Sequence, residues 1–188
     1  MRAILALAEG LDRVLRVVAH AAVWLMPGLA LVICVDVVTR KLGIFLPLLT
    51  SSRLQELEWH LHALLFSLWL GFTYVLNAHP RVDSLTGGLS LRRRAWLELF
   101  GCLAFALPYT FLLVRYAIPF VVTSFQSSEG PESVGGIPHR FLIKALFAAG
   151  LVLLLAAVVS MMLRLVVFLF GPRPETARLP LDAPSSSV

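Results

Sequence analysis

The stretch ALFAAGLVLLLAAVVSMMLRLVVFLF, Ala145 to Phe170, carries a single charge, Arg164, and its reading decides the fold. At about 1.5 Å of rise per residue, a helix of this length exceeds the roughly 30 Å hydrocarbon core of a bilayer, so the run reads as a transmembrane helix. Ala145, Ala149, Ala156 and Ser160 fall at helical spacing within it, a face of small residues that lets another helix approach closely. Whether that neighbour lies in this chain or in another subunit is left open by the sequence.

The rest of the chain agrees with this reading. Of its 188 residues 59% are hydrophobic and only 14% charged, with a mean hydropathy of +0.85, which is far from the composition of soluble domains. An integral membrane protein of this length holds about four or five spans and no sizeable water-soluble domain, so chemistry in water would have to sit elsewhere. Three further apolar runs stand out: Val17 to Val35, Trp59 to Leu76, and Ala95 to Val114 with a continuation toward Phe125. The first is too long for a signal-peptide core and no small-residue cleavage site follows it, so it is expected to persist in the mature chain.

The expected fold is therefore all-α, with four transmembrane helices at about 14–38, 57–76, 95–123 and 141–170, forming one membrane domain over residues 1–170. Pro27 removes a backbone donor from the first helix and predicts a kink there. The tail from 171 to 188 holds four prolines and three consecutive serines and is expected to be disordered.

Lysine and arginine placement sets the orientation. With both ends inside, ten such residues flank the inner face (Arg2, Arg13, Arg16, Arg81, Arg92, Arg93, Arg94, Arg164, Arg173, Arg178) and five the outer (Arg40, Lys41, Arg53, Arg140, Lys144). The termini are thus expected in the cytoplasm. Arg92, Arg93 and Arg94 beside Trp96 read as an inner-leaflet anchor drawn to anionic lipid. Membrane lipids account for the net charge of +5 without any nucleic acid.

Between the first two runs, residues 41–58 carry Gly43 and Pro47 and read as a segment lying along the outer interface. Ser52 and Gln55 have capping-box spacing, which places a helix start near Arg53 and Glu56 and Glu58 on its solvated outer end. The loop SFQSSEGPESVGGIPHRF, Ser124 to Phe141, has no periodicity.

Ionisable residues within spans are the default functional suspects: His20, Asp36, His60, His62, Glu98, Arg115 and Lys144. All but Arg115 lie near a span end, where snorkelling keeps charge at the headgroups. Glu98 has Arg94 four residues earlier as a partner, and Arg115 is an outer anchor if its span ends near Val114. His20 differs in depth from His60 and His62 by roughly 12 to 16 Å, too far to share a haem iron. Cys34 and Cys102 are separated by roughly 10 to 15 Å in depth and read as free packing thiols. No CxxC, Walker loop or GxSxG is present, so no enzyme, metal site or cofactor is expected.

Three motifs, in order, then resemble a known family: LQELEWHLHALLFSLWLGFTYVL, Leu54 to Leu76; HPRVDSL, His79 to Leu85; and GGIPHRFLIKALFAAG, Gly135 to Gly150. The chain resembles the small membrane subunit, DctQ-like, of a tripartite ATP-independent periplasmic (TRAP) transporter, with His79, Arg81 and Asp83 at the positions of the H-x-R-V-D signature. Many relatives have a proline in the last span where this chain has LFAAG, so no kink is expected there. The resemblance implies a bacterial inner-membrane scaffold beside a large elevator-type membrane subunit that carries the substrate and sodium sites. It also implies a periplasmic substrate-binding protein that delivers an organic acid, with Glu129 and Glu132 on the outer loop as candidate docking contacts. The signature residues are then expected to have a structural role at an inner turn. The alternative is the membrane anchor subunit of a respiratory enzyme complex, which predicts haem or quinone.

Overall fold

The structure, a computed structural model, describes residues 1–44, 47, 49–76, 78, 88–131 and 136–171. Among these no strand occurs. The helices are α1 (Arg2–Ala22), α2 (Leu25–Leu42), α3 (Ser51–Val75), α4 (Leu91–Gly101), α5 (Leu107–Gln126) and α6 (Arg140–Phe170), with a π-helical turn, Cys102–Ala106, joining α4 to α5.

Three helical stretches, Arg2–Leu42, Leu91–Gln126 and Arg140–Phe170, are long and apolar enough to cross a membrane, and the chain is a multi-pass membrane protein. The expectation was four. The fourth, α3, has 25 residues and sufficient length, but Glu56, Glu58, His60 and His62 in its first half dilute its hydropathy.

Proline chemistry explains both irregularities in the long stretches. Pro27 has no N–H to return to the Val23 carbonyl, and Met26 N donates to that oxygen instead at 3.1 Å, a tighter turn that separates α1 from α2. The break in the helix therefore falls at Val23–Trp24, a turn before the proline. The break also divides the expected 14–38 span between two helices that together run from Arg2 to Leu42. In the second case Pro108 follows the π turn, whose closing bond runs from Leu107 N–H to Cys102 O, one residue wider than an α-helical bond. Past this turn α5 runs on to Gln126, so the helix does not end near Val114.

Helix α6 is continuous from Arg140 to Phe170, has no interior proline, and forms the centre of the bundle, with Leu151, Leu154, Ala157, Val158, Met161 and Leu165 buried. Helices α1, α3, α4 and α5 pack on it, and α2 packs on α3. Helix α3 runs in the same direction as α6, since Ser67 meets Gly150 and Gly71 meets Leu153. The α4–α5 stretch runs opposite, with Trp96 on Phe170 and Phe125 on Phe141.

Once inserted, helices gain little hydrophobic energy from one another, so close backbone approach must supply the packing. A Cβ on Gly150 would stand 2.5 Å from the Ser67 Cβ, and one on Gly71 would stand 2.8 Å from the Leu153 carbonyl oxygen. The α3–α6 seam needs glycine at both places. Ala8, Ala95 and Ala157 are likewise fully buried where neighbouring helices press in.

Candidate functional site

Polar groups gather at the two ends of the bundle. At one end, Asp36 of α2 is buried and accepts a hydrogen bond from Ser51 Oγ at 2.9 Å while pairing with Arg40. Ser51 thereby opens α3, whose N-cap is Thr50; the expected start near Arg53 is two residues too late, and the Ser52–Gln55 spacing does not sit at the cap. Helix α2 runs on to Leu42, where Gly43 in the left-handed region closes it, and α3 begins at Ser51. Of the expected interfacial segment over 41–58, residues 51–58 are therefore the first turns of α3.

Glu56 is also buried, and its Oε2 accepts the Ile137 backbone N–H at 2.6 Å. The expectation of a solvated helix-end acid is corrected here: a loop 81 residues away folds over Glu56 and supplies the donor. Glu58, two residues on, stays partly exposed.

The same end holds a second knot. Glu129, about a third exposed, pairs with Lys144 and lies 3.6 Å from Arg140, both on α6. Its carboxyl is held below the usual range, first by the hydrogen bond from Lys144, with Ser124 and Arg140 adding to the effect and partial burial opposing it. Lys144 also sits 4.1 Å from the Phe120 ring centroid, and the Arg140 guanidinium 5.5 Å from that of Trp59. The first turn of α6 is thus tied to α3, α5 and the loop before it.

At the opposite end the exposed Arg92 and Arg93 begin α4 with Arg94, and Trp96 packs edge-to-face on Phe170 at 5.5 Å. Deeper along α6, Arg164 pairs with Asp12 of α1, and Ser160 Oγ bonds both the Asp12 carboxylate and the Ala8 carbonyl. The two charged side chains are 12% and 15% exposed. This pair was missed from sequence, although Asp12 shares a helix face with the buried Ala8, Leu15 and Ala19.

The π turn opens a groove of about 400 Å³ lined by Tyr74, Glu98, Cys102, Phe105 and Tyr109, within which the Tyr74 hydroxyl lies 3.2 Å from Cys102 Sγ. Cys34 is exposed, Cys102 is buried, and neither forms a disulfide. His20 packs on Phe72, whereas His62 lies ten residues and His60 twelve residues before Phe72 on α3, about 15 to 18 Å along the helix. No group of three or more potential metal ligands occurs among the described residues.

Of the small residues singled out on the last span, Ser160 is buried, Ala145 and Ala156 are half-buried, and Ala149 faces outward; the tight approach within the chain falls on Gly150. His79, Arg81, Asp83 and Glu132 lie outside the described residues, as does the tail from 172 to 188.

Compared with known proteins, the family described as "Tripartite ATP-independent periplasmic transporters, DctQ component" matches residues 29–168, from within α2 almost to the end of α6. That family is a transporter component, not an enzyme family. No curated protein and no solved structure matches the chain.

Proposed function

Because this chain belongs to the DctQ component family of the tripartite ATP-independent periplasmic transporters, we propose that it is the small membrane subunit that braces a larger, elevator-type transport subunit. Together with a periplasmic binding protein, the pair takes up an organic acid against its gradient, driven by sodium. The observation that carries this reading is the family match, which runs from α2 through nearly all of α6. A scaffold must hold its shape while its neighbour moves. The cross-helix ties support that role: Asp12 to Arg164 at one end, and Glu56 to Ile137 and Glu129 to Lys144 at the other.

In this reading α3 is the fourth span, because it lies parallel to α6 and buries Ser67 and Gly71 against it along its length. The excess of arginine beside α4 puts both termini in the cytoplasm of a bacterial inner membrane, where Arg92, Arg93, Arg94 and Trp96 grip the inner leaflet. His79, Arg81 and Asp83 shape the cytoplasmic turn that follows α3, a structural role. Glu129 and Glu132 sit on the periplasmic side, within reach of a docking binding protein. Residues 1–170 act as one membrane domain, and no cofactor takes part.

Proteoliposomes test the function. With the large subunit, the binding protein and a sodium gradient present, uptake of a labelled organic acid should require this chain. Full uptake without it would end the scaffold reading, and uptake by this chain alone would make it a transporter in its own right.

A further inference from the structure

The outward face of α5 carries a tyrosine hydroxyl at a depth where lipid offers it nothing, with an arginine and a second tyrosine above it. Lys144 and Arg164 stand twenty residues apart on α6, about 30 Å of helical rise, which matches the hydrocarbon thickness. Lys144 over the Phe120 ring and Trp96 against Phe170 fix the level of the antiparallel α4–α5 stretch against α6. Tyr109, eleven residues before Phe120, therefore lies about 16 Å below the Lys144 level, at mid-membrane.

Its side chain is 64% exposed, and its hydroxyl has no hydrogen-bond partner among the described residues. A tyrosine is too short to snorkel across half of the hydrocarbon core, and an unsatisfied hydroxyl there is unfavourable. Tyr116, two turns on, is 69% exposed, and the exposed Arg115 beside it has no ion-pair partner among the described residues. A guanidinium offers donors only.

From this face we infer that α5 is the seam at which the large membrane subunit docks, through a transmembrane segment that presents hydrogen-bond acceptors, carboxylate or free carbonyl, to Tyr109, Arg115 and Tyr116. The inference rests on the proposal that such a subunit is the partner. Charge decides against a second copy of this chain: a two-fold axis along the membrane normal would set Arg115 level with its own counterpart, like charge against like. Depth decides against lipid, whose phosphates do not reach Tyr109. The groove at the π turn, which Tyr109 and Phe105 also line, continues the same surface and gives a partner helix a depression of about 400 Å³ to enter.

The test uses the whole transporter, expressed with this chain tagged and with the photoreactive p-benzoylphenylalanine in place of Tyr109. The control carries it in place of Leu31, equally exposed on α2. Illumination should crosslink position 109 to the large subunit several-fold more than position 31. Tyr109→Phe, which keeps the ring, should lower recovery of the large subunit about threefold while leaving this chain's own yield unchanged. If the large subunit co-purifies yet crosslinks equally well or better from position 31, or if position 109 reaches only lipid or a second copy, the seam is elsewhere. If no large subunit co-purifies with the unsubstituted chain, the subunit reading falls and this inference falls with it.

Discussion

Asp12 and Arg164 join the first helix of the chain to the last, and removing either should cost more than any other single polar change. Asp12→Ala removes the carboxylate that pairs with Arg164, whose side chain is only 15% exposed, and leaves Ser160 Oγ with the Ala8 carbonyl alone of its two acceptors. Breaking a buried pair on one side costs about 3 to 5 kcal/mol; the residual exposure of both groups puts the value near the lower limit, about 3 kcal/mol. For a chain of this size that corresponds to a fall of about 6 to 12 °C in Tm. Replacing both partners with apolar groups, Asp12→Leu with Arg164→Met, should recover most of the loss, because no charge is left stranded.

The assay is built into the chain. Cys102 is 2% exposed and Cys34 is exposed, so a thiol-reactive dye added to a Cys34→Ser background reports unfolding through Cys102 alone. Single variants that melt within about 2 °C of the parent would refute the reasoning. A double variant as unstable as the two singles combined would refute it equally.

Three other outcomes follow from the same contacts. Gly150→Val puts a branched side chain where even a Cβ would meet Ser67 at 2.5 Å, and should lower stability by about 1 to 3 kcal/mol in the same dye assay, whereas Ala149→Val on the outward face should be nearly neutral. Glu129 has a folded-state carboxyl below its ordinary 4.5, so its contribution is present above 4.5 and is lost as pH falls through the depressed folded value; Glu129→Gln should flatten that acid limb in a melting series, and an unchanged limb would remove Lys144 as its cause. Asp83→Ala should reduce assembly with the large subunit or uptake, and unchanged expression, co-purification and transport together would end the structural reading of the signature.

The apolar runs made the helices legible, because that signal is local. Pro27 marks an interruption whose place is not local to it: the missing donor acts on the carbonyl a turn earlier, so the break falls at Val23–Trp24. Pro108 marks an interrupted hydrogen-bond ladder in the third run, but not the extra residue that widens the turn between Cys102 and Leu107. Glu56 and Asp36 resemble solvated helix-end acids until the loop at Ile137 and the hydroxyl of Ser51 are brought to them by the fold. Asp12 and Arg164, 152 residues apart in the chain, share no sequence signal beyond an acid on an alanine-lined face. Arg115 reads as an outer anchor for a span that ends near Val114, whereas the helix runs eleven residues beyond Arg115 and leaves it on an outward face below the Lys144 level. The family signature from His79 to Asp83 was legible as a motif alone.

The most direct measurement is a mild-detergent purification through a C-terminal tag, with mass spectrometry of whatever accompanies the chain. The account predicts a large polytopic membrane protein in equal amount. A haem-bearing soluble enzyme in its place, or the chain by itself, would contradict it.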